Sequence, residues 1–295
     1  MRAAVVALLL FLPFSPPAFG GGADPGTAAE RPFPVRLSSR WPAQGEPVLV
    51  EVSPLPRADS VVMIWKGQEI PMKEDGPGRF VGLIGIDLLE TPGKAVLPIR
   101  AMEEGKAIRF DVEFVIRKGS FPVQELTLSK EMTQFDRATL ERIDREARRL
   151  AERFSRVSSP PVWSFPFLPP VEGFQPKGFG ARRIINGEPR SPHAGVDVTL
   201  PAGTPVVATA DGAVAFAGEQ FFGGNSVVLD HGGGVFSVYY HLREFVVSEG
   251  QKIVRGQRIG SVGASGRATG PHIHFSVRAA GGRIDPSLLM ALPSR

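Results

Sequence analysis

The sequence predicts a mostly β protein made of a small antiparallel β-sandwich, a helical linker and a second β-rich domain. Three observations carry that expectation. Between Phe33 and Ile116, short β-prone runs alternate with turns rich in Gly and Pro. Between residues 136 and 154, apolar side chains recur every three or four positions. Beyond Gly173 the text turns Gly-rich and β-prone again, and no helix of consequence is expected before Pro286.

Taken in order, Met1-Arg2 is followed by an apolar run from Ala3 to Phe14 and by small residues ending at Gly20. Residues 1–20 read as a signal peptide, because an apolar run of about a dozen residues containing Pro13 falls short of the ~20 needed to span a bilayer. The expectation is a chain exported across the inner membrane, with no stable membrane span after cleavage. Residues 21–32 read as a flexible leader. Residues 33–118 form the expected sandwich, with strand candidates at 48–52, 61–65, 80–84, 95–99 and 108–116, punctuated by Asp75-Gly76-Pro77-Gly78 and Pro92-Gly93. It contains no His, and it reads as a packing or targeting domain without chemistry of its own.

Residues 119–172 hold the linker. Leu140, Ile143, Ala147, Leu150 and Phe154 form one stripe of an amphipathic helix, while Arg, Glu and Asp fill the other face. The stripe requires a cover, from a neighbouring domain or from a partner. The Pro-rich stretch from Ser158 to Pro170 reads as a semi-extended connector, with the last domain, 173–295, beginning just beyond it. Strand candidates there are 205–210, 226–230, 235–240, 258–262 and 272–278.

Composition narrows the function classes. There is no Cys, which excludes disulfides and a lipid anchor on an N-terminal Cys. A hydrophobic fraction of 42% excludes a disordered chain. The formal charge is +4, and residues 173–295 carry 12 basic against 8 acidic side chains, a bias suited to an anionic polymer or to a solvated surface. No basic run with interleaved aromatics points to nucleic acid.

All five His, at 193, 231, 241, 272 and 274, lie in the last domain. In a strand, His272 and His274 project from one face. His193 and Asp197 are also an even number apart, and Gly195, Val196 and Val198 favour extended chain there. Two imidazole nitrogens and a carboxylate oxygen make a three-donor zinc set whose fourth position stays open, whereas a structural site would close with a fourth ligand. A lone His-x-His is more often a surface coincidence, and it is the clustering of all five His beside His193-x-x-x-Asp197 that turns the reading toward a metal. His231, in Asp230-His231-Gly232, reads as a turn residue.

The surrounding text is specific. Phe179-Gly180, Arg182-Arg183, Asn186-Gly187, His193-Ala194-Gly195-Val196-Asp197, Gly203-Thr204-Pro205-Val206, Gly224-Asn225, Tyr239-Tyr240-His241-Leu242, Gly256-Gln257 and Thr269-Gly270-Pro271-His272-Ile273-His274-Phe275 together resemble the lysostaphin-type (LytM-like) zinc peptidases, in unbroken order over about residues 173–292. The sandwich and helix also resemble the accessory region that precedes this domain in some Gram-negative members. The resemblance implies a peptidase domain with its groove on an antiparallel sheet and Zn2+ held by His193, Asp197 and His274. It also implies that His272 and His241 flank the metal-bound water as catalytic residues; the chemistry of such a site assigns His272 as general base and His241 as oxyanion partner, two roles that can be exchanged. Tyr239 reads as a packing residue that is also able to offer a phenol hydrogen bond.

The implied activity is a periplasmic endopeptidase whose substrate is a peptide crosslink of peptidoglycan. The linker leaves room for a regulatory protein partner. Ala268 stands where the family often has Ser, and Ser276 where an acid often follows His-x-His-Phe; both bear on substrate detail. Two other readings compete: a catalytically silent LytM-like module that activates a cell-wall amidase, and a D-Ala-D-Ala-type zinc carboxypeptidase, whose His-to-Asp spacing is longer.

Overall fold

The computed structural model describes residues 35–127, 129, 133–158 and 160–293, so the expected signal peptide and leader lie outside the described residues. The N-terminal part is a sandwich of two four-stranded antiparallel sheets. One is ordered β1 (Val35–Leu37), β2 (Pro47–Val52), β6 (Phe80–Gly85), β5 (Lys73–Glu74), and the other β4 (Gln68–Pro71), β3 (Ala58–Trp65), β7 (Gly93–Glu103), β8 (Lys106–Ile116). Inward residues such as Val48, Val50, Met63, Ile84, Leu97 and Ile99 fill the space between them. Strand β6 differs from the rest in being buried at every position. A strand reads as a continuous apolar run when both faces are covered, and the far face of β6 lies against the C-terminal domain, where Leu83 joins that domain's core.

The C-terminal domain is built on a nine-stranded antiparallel sheet. Its main path is β12 (Val196–Thr199), β19 (His272–Ala279), β16 (Val235–Phe245), β15 (Gly224–Asp230), β14 (Gly212–Gln220), β17 (Lys252–Ile253). Strand β13 (Pro205–Val207) pairs with β18 (Arg258–Val262), which joins β16, and β20 (Gly282–Ile284) extends β19. The short helix α2 (Pro286–Met290) closes the domain, capped by Asp285. One face of the sheet carries the core, with Tyr239, Ile273, Phe275 and Val277 buried. A third, three-stranded sheet, β9 (Val123–Leu126), β10 (Arg182–Ile185), β11 (Glu188–Pro189), ties the linker to the start of this domain through the parallel β9–β10 pair.

The helix appears as α1 (Arg137–Phe154), with Asp136 at its N-cap accepting from the Thr139 N–H at 2.7 Å. Its stripe meets the sheet face opposite the main core: Leu150 and Phe154 pack with Phe216, Val228, Phe236 and Val238. Glu146 Oε2 accepts from the Phe221 N–H, and Arg153 donates to the Ala215 carbonyl. The stripe is covered only in its C-terminal half, and Leu140 stays 52% exposed.

The Pro-rich connector, expected only to be semi-extended, is packed into the C-terminal domain. Trp163, Phe167 and Val171 are fully buried in the C-terminal core. The ring centroids of Trp163, Phe165 and Phe167 lie 5.4–5.7 Å apart, and Val162 and Leu168 donate backbone hydrogen bonds to His231 and Thr209. The packed C-terminal domain thus begins about Val162 rather than at residue 173. Strong apolar anchors at alternate positions outweigh the stiffness that Pro gives an extended chain.

Candidate metal centre

Strands β12 and β19 pair so that Asp197 lies opposite His274, and β16 places Tyr240 opposite His274 on the other side. Strand parity then carries His272, His274, Asp197 and Tyr240 to the same face, away from the main core. His193 precedes β12 in a loop and is buried. Its ligand nitrogen, with Asp197 and His274, completes a group whose donor atoms all lie within 4.8 Å of one another.

The atoms meet closely. His274 Nδ1 is 2.9 Å from Asp197 Oδ1 and 2.9 Å from His193 Nε2, and His193 Nε2 is 3.2 Å from Asp197 Oδ1. His193 Nδ1 lies 2.9 Å from the Gly178 carbonyl. A carbonyl only accepts, so Nδ1 carries the proton of the neutral ring and Nε2 turns a lone pair toward the Asp197 oxygen. His274 Nδ1 can donate to one neighbour at most. At least one contact in this triangle therefore sets acceptor against acceptor, an arrangement a cation relieves. Bonds of ~2.0–2.1 Å around a tetrahedral ion put donor atoms about 3.3–3.4 Å apart, close to the spacing found here. The donor set and its geometry fit a divalent metal with a fourth position open.

The surroundings hold the ligands in place. Burial alone raises the Asp197 carboxyl, but hydrogen bonds from His193 and His274 and their charge outweigh it and hold the group well below the usual carboxylate range. Arg183 reaches the other carboxylate oxygen at 3.9 Å. Tyr240 stacks on His274, ring centroids 5.6 Å apart and 18° from parallel, and burial pushes its hydroxyl up to about 12. Two glycines allow the close approach. A Cβ on Gly195 falls 2.5 Å from the Phe275 carbonyl and 2.8 Å from His274 Nε2, and one on Gly178, where φ is +86°, falls 2.9 Å from His193 Nδ1.

His241 and His272 stand beside this group, their ring centroids 4.6 Å apart and His241 6.4 Å from His274. Simple alternation would send His241 to the core face with Tyr239. Instead β16 gains one residue against β15 between Tyr239 and Leu242, and His241 takes the left-handed conformation, φ +62°. That bulge turns its ring to the metal face. Each ring places Nδ1 on a carbonyl, His241 on Ser265 at 2.9 Å and His272 on Gly270 at 2.8 Å. The neutral form of either ring then presents Nε2 as an acceptor. Burial, opposed by the Ser265 carbonyl, pushes His241 down to about 4 and keeps it neutral at pH 7.

A match to peptidase family M23 covers residues 191–286. The C-terminal domain is an M23 peptidase domain. Over 87 residues, 30% of this chain and 20% of the relative, it is 45% identical to the peptidoglycan DD-endopeptidase ShyA of Vibrio cholerae. Over 102 residues, 35% of this chain and 23% of the relative, it is 43% identical to the DD-carboxypeptidase/endopeptidase Mpg of Neisseria meningitidis. The matched region thus spans about a fifth to a quarter of the length of these curated relatives. A crystal structure described as a peptidase M23 from Pseudomonas aeruginosa superposes on 84% of this chain and 95% of its own, with a TM-score of 0.66 and 29% identity. That likeness extends through the N-terminal sandwich.

Within the M23 domain, all five residues singled out from the sequence as ligands or catalysts gather in one cluster. His231 lies apart and fully buried, its nitrogens on the Asp211 carbonyl and on Ser237 Oγ, both at 2.7 Å. Tyr239 also points away from the metal face; its hydroxyl contacts Ser237 and accepts from the Thr209 N–H, so the phenol hydrogen bond open to it from the sequence goes into the core. The tyrosine at the site is Tyr240. Its parity with His274 becomes visible only once the β16–β19 register is known. Arg183 was visible as part of the Arg182-Arg183 motif but carried no sequence signal of its role.

Proposed function

We propose that this protein is a zinc-dependent endopeptidase that hydrolyses peptide crosslinks of peptidoglycan. The observation that carries the reading is the open three-donor group, His193 Nε2, Asp197 Oδ1 and His274 Nδ1, with the imidazoles of His241 and His272 beside it. Its likeness to proteins named DD-endopeptidases supports the substrate class.

Zn2+ bound by those three residues would supply Lewis acidity toward water and the scissile carbonyl at neutral pH. The chain's own residues do the rest. The Gly178 carbonyl fixes the tautomer of His193, and Arg183 and Tyr240 orient Asp197 and His274. His272, its Nδ1–H committed to Gly270, uses Nε2 to take a proton from the attacking water and return it to the leaving amine. His241 enters the cycle neutral, so its Nε2 first accepts the water's second hydrogen. Once it has gained a proton, its Nε2–H can serve a developing oxyanion, the role expected of it from the sequence.

The apolar run at residues 3–14 supports export and a periplasmic location. N-terminal sequencing of the mature chain tests that placement, with an intact Met1 excluding cleavage.

The function is tested by loading the purified chain with Zn2+ and identifying by mass spectrometry the peptide ends released from crosslinked muropeptides. New amine and carboxyl termini at the crosslink are expected. A zinc-loaded chain that releases none, yet stimulates a separate amidase, would establish the silent activating module instead. Release of a terminal residue alone would identify a carboxypeptidase.

A further inference from the structure

A cavity of ≈ 480 Å³ opens in front of His193 and His274, and three arginines are among the residues that line it: Arg183, Arg190 and Arg267. Among the described residues lining it there is no acidic side chain. Arg183 and Arg190 also line a second cavity of ≈ 840 Å³, whose far wall includes Leu88 and Leu89 of the sandwich domain. Two of the three cations thus stand where the two cavities meet, one step from the metal ligands.

Among the described residues, the Nε of Arg183 is buried without a hydrogen-bond partner, and its ion pair with Asp197 is long at 3.9 Å. Arg267 lies over the Phe222 ring, its Cζ 4.5 Å from the centroid. Burial and then the charges of Arg183 and Arg190 disfavour the charged form of Arg267, so the cluster repels itself. An anion placed among the three groups would relieve that repulsion, and the guanidinium fork matches a carboxylate through two parallel hydrogen bonds.

We propose that Arg183, Arg190 and Arg267 form an anion subsite that holds a free carboxylate of the substrate peptide next to the scissile bond. The inference rests on the peptidase reading above and adds its selectivity: crosslinked peptides bearing that carboxylate are preferred over peptides in which it is a carboxamide. The arginines act on binding and register and leave the proton transfers to the histidines.

The test uses the full zinc-loaded chain and two synthetic crosslinked stem peptides that differ only in this group, carboxylate against carboxamide. The native chain is expected to favour the carboxylate peptide by ~10–100-fold in kcat/KM, the scale of a charge-assisted hydrogen-bond pair. In Arg190→Gln/Arg267→Gln that preference should collapse toward unity through a raised KM, with kcat on the carboxamide peptide and zinc content unchanged. Arg190→Lys/Arg267→Lys, which keeps the charge without the fork, should restore part of it. Equal cleavage of both peptides by the native chain, or an equal loss on both in the Gln variant, would overturn the subsite while leaving the peptidase standing. Calorimetric binding of both peptides to the zinc-loaded His272→Ala chain separates the two ideas further. If the native chain cleaves neither peptide, a carboxylate preference in binding that the Gln substitutions abolish supports the subsite without the peptidase. Equal binding of the two peptides overturns it.

Discussion

His193 carries one proton on two nitrogens, and the Gly178 carbonyl decides which of them keeps it. From that single contact follow the lone pair aimed at Asp197 and the unfavourable triangle that a metal resolves. Asp197 supplies the only negative charge in the triangle, so Asp197→Ala should release the metal and abolish hydrolysis while the chain stays folded. Metal analysis and circular dichroism on the same sample check this, and stoichiometric zinc in the variant would take the carboxylate out of the ligand set. His241→Ala and His272→Ala should behave differently from it, each lowering turnover ~10²-fold or more with zinc still bound. Loss of metal from His272→Ala would mean that the two members of His-x-His have exchanged roles. At this scale, while His193 joins from the loop before β12, parity was enough to put His272 and His274 on one face of extended chain. It was not enough for His241. The bulge that turns its ring lies in the register of β16 against β15, a property of two strands that no single segment encodes.

Elements were legible where their pattern is strong and local. Five of the eight sandwich strands, β2, β3, β6, β7 and β8, and the helix are legible, though 95–99 covers only the middle of β7, because alternation and a 3.6-residue period reflect burial on one face; the short β1, β4 and β5 carry too little of that pattern. Strand β14, with Gly212, Ala213, Ala215, Ala217 and Gly218 among its nine residues, escaped notice because its own composition disfavours a strand; pairing with β15 and β17 supplies the stability that propensity lacks. The connector was read through its prolines, although Trp163, Phe165 and Phe167 at alternate positions were the better signal. Their burial makes a definite claim on stability. Trp163 is 1% exposed within the C-terminal core, and Trp163→Ala should cost about 3–5 kcal/mol through lost burial and the cavity left behind. Urea unfolding at pH 7 measures it. A cost under 1 kcal/mol would mean that the connector is a surface strap after all. Truncation at residue 173 would remove the same anchors, so a chain meant to isolate the M23 domain has to keep residues from about 162 onward.

The two domains are joined by more than the linker. Leu83 of the sandwich belongs to the core of the M23 domain, and Ala280 of the M23 domain belongs to the core of the sandwich. Between them Arg283 grips Asp87 with Nε to Oδ2 at 2.8 Å and Nη2 to Oδ1 at 2.6 Å, and its backbone N–H adds a third bond at 2.9 Å. Neither side chain is more than a fifth exposed. Burial opposes ionisation of Asp87, but the side-chain and backbone hydrogen bonds from Arg283, with help from the Leu89 N–H, prevail and bring it down to about 2 from an ordinary 3.8. A carboxyl depressed in the folded state stabilises the fold at pH values above its unfolded pKa, and that contribution disappears as pH falls through the folded one. The window here runs from about pH 4 down to about 2, and the contribution at pH 7 is about 2 kcal/mol. Asp87→Asn should therefore lower stability by roughly that amount at pH 7, and the gap between variant and native chain should narrow steadily below pH 4. Strand β7 of the sandwich and strand β16 of the M23 domain lie on the two sides of the joint. Backbone amide exchange in each strand, followed against denaturant in the native chain, reports each side separately. Because the domains share core residues and this buried pair, both probes should give one coincident transition in the native chain. Two separated transitions at pH 7, or an Asp87→Asn chain whose deficit is undiminished at pH 2.5, would show that the joint contributes little and that the sandwich rides on the M23 domain as an independent unit.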